Sequence, residues 1–234
     1  MTFPSVRSEV ANTQGTNSTS WTIDYPATIA AGDLLLLAIG RDGSTGTGSV
    51  SDAGFGAALY DQAASTVARG LIFVKVATGS ESGTFTYAPG ASEQGAWRIA
   101  AYQNWYGTIS GGVEAGGTAT GSSNTPDPGS FSPSWGGGSD TRWRAQFAAD
   151  DGRHTISGFP SGWTINQNGD ASNGSGGAAL GGASINSTNA SEDPGTFQSN
   201  RSDNWVAWVV AIRPAPPPGA IPILRRPMKA MLTR

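Results

Sequence analysis

Two short apolar runs constrain this chain more than anything else in it: "LLLLAI" at 34–39 and "WVAWVVAI" at 205–212. Each is apolar at successive positions, so an extended strand built from it has two apolar faces. Neither approaches the ~20 residues that a membrane-spanning helix needs. Strands of this kind must be covered on both sides, which predicts central positions in packed sheets.

Further strand signals recur at 20–26, 68–77, 83–89, 96–105, 141–149, 162–167 and 177–185, mostly bounded by Gly, Pro, Asn, Asp or Ser. That pattern is the mark of an antiparallel sandwich or barrel. In "GTFTYAP" Phe85 and Tyr87 share one face, and in "TRWRAQFAA" Trp143, Ala145 and Phe147 do. Both segments therefore read as half-exposed sheet faces. No useful window carries the i, i+3, i+4, i+7 apolar stripe of an amphipathic helix. With 34 Gly among 234 residues and only 13% charged residues, the composition suits short strands and tight turns. The expected fold is an all-β, antiparallel, jelly-roll-like β-sandwich over 1–213, with long Gly-rich loops at 40–56, 110–130 and 168–177. The chain has no Cys, so neither disulfides nor thiolate metal sites are available to it. Its first residues, "MTFPSVRSEV", carry no basic region ahead of an apolar stretch, and a soluble chain not exported by the usual route is expected.

The motifs of catalysis are not matched. The single histidine, His154, lies in "ADDGRHT" beside Asp150 and Asp151, where Gly152 suggests a turn. A Ser nucleophile on an elbow needs G-x-S-x-G, and "GSTGTGS" at 43–49 does not fit. The same stretch lacks the Gly-Lys-Ser/Thr of a phosphate loop. "NQNGDASNGSGG" at 166–177 places oxygen ligands at Asn166, Asn168 and Asp170, but has Ala171 where a calcium loop turns on Gly and Gly177 where it ends in Glu. The expectation is a protein that is not an enzyme, with no cofactor and no metal. Of the eight Trp residues, Trp135 and Trp163 lie beside Gly- or Pro-containing loops and are the candidates for contact with a host glycan. Trp97, Trp143, Trp205 and Trp208 lie inside strand patterns and read as packing. The four Asn-X-Ser/Thr sequons, at Asn17, Asn173, Asn186 and Asn189, are what chance supplies in so Asn-, Ser- and Thr-rich a chain.

"IAAGDLLLLAIGRDG" (29–43), "AWRIAAYQNW" (96–105), "GWT" (162–164) and "DNWVAWVVAIRP" (203–214) form a frame. It resembles a group of β-sandwich proteins among the structural genes of tailed bacteriophages, in which an AGDLL strand opens the sheet and a W-x-A-x-x-x-A-I-R-P strand closes the domain. The similarity spans roughly residues 3–214. It implies a virion protein, assembled in the host cytoplasm, that decorates the head or forms part of a fibre. It carries over no catalytic residue.

The last residues differ from the rest. Residues 1–212 hold all 17 acids and 9 of the 14 Lys and Arg, a charge of -8, whereas 213–234 hold 5 cations and no acid. Residues 214–222 read as a stiff Pro-rich linker. Beyond it a docking peptide at 223–234 is expected, and with Ile221 the candidate docking residues are Ile223, Leu224, Arg225, Arg226, Met228, Lys229, Met231 and Leu232. A basic apolar peptide suits an acidic protein surface, such as a capsid shell, a fibre base or a neighbouring copy. It has no aromatic residue for base stacking, which argues against nucleic acid. The expected role is a capsid decoration or minor capsid protein in homotrimers, attached through this tail without membrane contact. The alternative is a tail-fibre or receptor-binding module that recognises host-surface glycans.

Overall fold

A computed structural model describes residues 2–43, 46–136, 140–150, 154–170 and 177–217. The described residues form fifteen strands: β1 (Ser5–Ser18), β2 (Trp21–Asp24), β3 (Leu34–Asp42), β4 (Ser49–Val50), β5 (Tyr60–Ala64), β6 (Ala68–Val76), β7 (Thr84–Ala88), β8 (Glu93–Gln103), β9 (Val113–Ser123), β10 (Thr141–Asp150), β11 (Ile156–Gly158), β12 (Thr164–Asp170), β13 (Ala178–Ser187), β14 (Gln198–Ser199) and β15 (Asp203–Ile212). None of the described residues is helical.

The first half of the chain builds a five-stranded sheet in the order β1-β8-β3-β6-β5, and the second half builds another in the order β12-β13-β10-β15-β9. Every pairing is antiparallel. The two sheets face each other across a core that includes Leu34, Leu36, Ile72, Leu180, Trp208 and Val210. This is a β-sandwich.

Each large sheet also has a cover. A three-stranded sheet, β2-β7-β4, lies over the first and buries Leu35, Leu37, Ile39, Trp97 and Ile99 against Trp21 and Tyr87. Over the second lie the β11-β14 pair and loops carrying Phe131, Trp135, Phe159, Trp163 and Phe197. Four layers result, and they explain both apolar runs. In β3 and β15 alternate residues face the inter-sheet core and the covering layer, so neither strand has a polar side.

β7 is half-exposed as its alternation predicts, with Phe85 and Tyr87 buried and Thr84 exposed. β10 is not. It is the middle strand of its sheet, and the polar residues between Trp143, Ala145 and Phe147 are themselves buried: Arg144 and Gln146 point into the inter-sheet core. Alternation in this strand separates two interiors of different polarity, not core from solvent.

The expected loop at 110–130 is largely strand, because β9 occupies 113–123 at the edge of the second sheet. Its apolar period is missing for a steric reason. A Cβ on Gly116 would come within 2.4 Å of the Phe131 ring, and one on Gly121 within 2.4 Å of the Trp205 ring. Aromatic groups from elsewhere occupy the space that β9 side chains would otherwise fill.

Candidate functional site

The registers give the sandwich two distinct ends. At one end β3 begins while β8 and β15 finish. Asn104 takes a positive φ of 60°. The turn so formed seats Trp105, which is buried and donates from Nε1 to the Gly32 carbonyl at 2.8 Å. Trp105 pairs with Pro214 in an isolated bridge, and the Ala215 N–H donates to the Asn104 carbonyl at 2.9 Å. One residue earlier, Arg213 donates its N–H to the Gly112 carbonyl at 2.9 Å and accepts from the Tyr106 N–H at 3.0 Å. The Arg213 guanidinium lies 4.3 Å from the Tyr106 ring centroid and 5.9 Å from that of Trp135. A cation over an aromatic face contributes about 0.5–2 kcal/mol depending on desolvation.

Pro214 has no N–H and so ends β15, yet it is buried. The strand ends therefore hold the chain through Ala215, and Pro216 and Pro217 are exposed. The proposed docking residues, from Ile221 to Leu232, lie outside the described residues.

The opposite end carries strand termini that flank two of the Gly-rich segments, 40–56 and 168–177; the third, 110–130, begins at the anchored end, where Val113 pairs with Ile212. Asp42 of β3 pairs with Ala68, Asp150 of β10 pairs with Ala178, and Asp170 of β12 pairs with Ala179. The two sheets are in step here, since a Cβ on Gly40 would meet Ala148 and Leu180 across the core at 3.0 and 3.1 Å. The buried Arg41 side chain is 3.3 Å from Glu93. Burial, with the neighbouring Glu93 charge, pushes Asp42 up to about 6, against the lowering effect of the Gln94 N–H.

Beside this end, a cleft of about 490 Å³ opens between residues 47–50 and 55–58, with Phe73 and Asp61 also lining it. Asp61 is the only ionisable residue among those lining residues. Arg69 donates to it at 2.6 Å and Thr47 at 2.5 Å. Burial opposes its charge, but these two donors outweigh burial and hold the carboxyl below its usual range. Asp61 is thus an anion committed to structure. Behind the cleft, the Lys75 ammonium lies 2.6 Å from Asp52 and 3.0 Å from Glu81, within 5.6 Å of the Phe55 ring centroid. Burial alone would raise Glu81, yet the Thr78 and Gly79 N–H groups and Lys75 bring it to about 2.

Trp135 and Trp163 are half-buried and pack over the outer face of the second sheet, next to Trp143. Both belong to the cover of the sandwich. Neither lines the cleft.

His154 has partners that sequence reading did not foresee. It is buried, with Nδ1 at 2.7 Å from Ser199 Oγ and Nε2 at 2.7 Å from the Asp150 carbonyl and 3.2 Å from the Asp203 carboxylate. A Ser, a His and an Asp from β14, the start of β11 and β15 thus come together although 45 residues separate the first two. The set does not present a nucleophile. Ser199 is only 3% exposed, its Oγ also accepts from the Arg201 N–H at 3.4 Å, and its own N–H is spent on the Asn124 carbonyl. Nucleophilic catalysis needs a hydroxyl that substrate can reach, so the arrangement pins the cover to the sheet. Among the described residues no three His, Asp or Glu side chains converge as a metal-ligand set.

Comparison of the whole chain with protein-family models, with curated proteins and with solved structures found no match.

Proposed function

We propose that this protein is a non-enzymatic structural component of a tailed-bacteriophage virion, a capsid decoration or minor capsid protein that attaches through its C-terminal segment. One observation carries the reading: the sandwich is polar end to end. The chain is fastened at Trp105 and Arg213–Ala215 at one end, whereas the strand ends flanking the Gly-rich segments 40–56 and 168–177 lie at the other extremity. A module held at one end and displayed at the other suits a particle surface. The resemblance of β3, β8 and β15 to phage sandwich strands supports the same setting. The docking peptide with Ile221 meets the shell, and the domains cluster as trimers.

Purified particles test this. A chain truncated after Ala215 keeps every contact of the anchored end and should be lost from heads, while the intact chain is retained. Unchanged head occupancy of the truncated chain, or an intact protein found only at the tail tip, would overturn the proposal. The second reading, a fibre or receptor-binding module, is favoured by the cleft beside 47–58. On a glycan array it predicts binding that Ser49→Trp, which would fill the cleft, abolishes, and a blank array would remove it.

A further inference from the structure

The inter-sheet core is not apolar throughout. Arg98 and Tyr102 of β8 and Arg144 and Gln146 of β10 all project into it and are fully buried. Arg144 Nη1 donates to the Tyr102 hydroxyl oxygen at 3.0 Å, joining the two sheets. On the same face of β10, Arg142 donates to Ser184 at 2.7 Å and to Asn186 at 3.2 Å, with its guanidinium 6.0 Å from the Tyr102 ring centroid.

What this cluster lacks is negative charge. Three guanidiniums face it, and the one carboxylate among the described groups is Glu9 of edge strand β1, which pairs with Arg98 and is 41% exposed. Among the described side chains, β3 presents Leu34, Leu36 and Ala38, β13 presents Leu180 and Ser184, and β15 presents Val206, Trp208 and Val210, none of them charged. Nitrogens without hydrogen-bond partners include Nε and Nη1 of Arg98, Nε and Nη2 of Arg144, and Nε2 of Gln146. All are donors. A guanidinium does not give up its proton at neutral pH, and an uncompensated buried cation costs several kcal/mol. Among the described residues, the only other ionisable group in contact with these arginines is the Tyr102 phenol.

We infer that Tyr102 is held as a tyrosinate in the folded protein, the internal counter-anion of Arg98 and Arg144 across the sheet interface. Burial by itself would raise the phenol, but Arg144, Arg98 and Arg142 act against it and bring it down to about 7 from an ordinary value of 10.0. Burial and Arg144 lower Arg98 to about 10, which leaves it charged in the same range. The linkage sign follows. Between about 7 and 10 the unfolded chain keeps the tyrosine proton and the folded chain has lost it, so this group makes stability rise with pH, by at most about tenfold in the folding constant per pH unit. The contribution is lost as pH falls through the folded value.

Absorbance at 295 nm, titrated from pH 6 to 11 on the intact chain, tests the assignment. One of the five tyrosines should ionise near neutrality, and its band at pH 8.5 should vanish in denaturant. Tyr102→Phe should abolish that step and flatten the rise in stability between pH 7 and 10. Should the variant fail to fold, the native titration of the unaltered chain decides by itself. No tyrosinate band below pH 9 overturns the inference, as does a neutral step that persists in Tyr102→Phe. If the band is absent and added chloride or phosphate stabilises the protein instead, the counter-charge is a solvent ion and the assignment is wrong.

Discussion

Replacing Gly70 by Ala perturbs the core at a single point whose cost can be worked out. Gly70 lies on β6 beneath Trp208 of β15, and a Cβ built there would sit 2.3 Å from Cζ3, 2.6 Å from Cη2 and 3.0 Å from Cε3 of the indole. Ordinary contact starts at 3.4 Å, so the ring must retreat by more than 1 Å. It has little freedom to do so. Trp208 is fully buried, Tyr60 stacks on it at 5.0 Å, and its Nε1 donates to Gln146 at 3.2 Å. Overpacking of this kind costs about 1–3 kcal/mol, and the entropy lost from the unfolded chain returns less than about 1 kcal/mol. The expected net loss is about 2 kcal/mol, a fall of about 4–8 °C in Tm for a domain of this size. Chemical denaturation with a double-mutant cycle is the assay. In a Trp208→Phe background, where the clashing ring is smaller, Gly70→Ala should cost less than about 0.5 kcal/mol. A Gly70→Ala protein as stable as the parent, or equal costs in both backgrounds, would refute the reasoning.

Two further outcomes are expected. Asp42 holds its proton more tightly when folded, at about 6, so its contribution is present at low pH and lost as pH rises from about 4 through 6. Asp42→Asn should therefore gain on the parent by about 1 kcal/mol between pH 4 and pH 7.5, discounted for partial exposure, and parallel unfolding curves with no pH trend would contradict this. Ser199→Ala should cost about 1–2 kcal/mol in urea unfolding through loss of the His154 hydrogen bond, and labelling of Ser199 in the parent by a fluorophosphonate probe would show that a reachable nucleophile had been misread as a pin.

The strands read most directly from the sequence are those whose neighbours are all protein. β3, β6 and β15 are apolar on both faces because a layer lies on each side, and the chain has no other way to satisfy them. Two edge strands, β1 and β9, escape notice. β1 runs fourteen residues with few apolar positions, since one side of its ladder and much of its surface meet water. β9 is hidden by the absence of side chains that Phe131 and Trp205 displace. The inward arginines are visible as letters, but only the pairing of β8 and β10 with neighbours on both sides shows that Arg98 and Arg144 point into protein. Of the candidate sites, the end of β15 was legible because Pro214 cannot extend a sheet. The His154 partners were not, because Ser199 and Asp203 approach it through the packing of β14 and β15.

The fastening of Ala215 to Asn104 has a partner at the start of the chain, where Ser5 pairs with the adjacent Gln103. Ser5 and Ala215 are thus held at neighbouring positions on one strand end. A domain of this kind is a cassette: it can be spliced into a surface loop of a host protein, or circularly permuted by joining the two ends and reopening the chain elsewhere, without altering a single strand register.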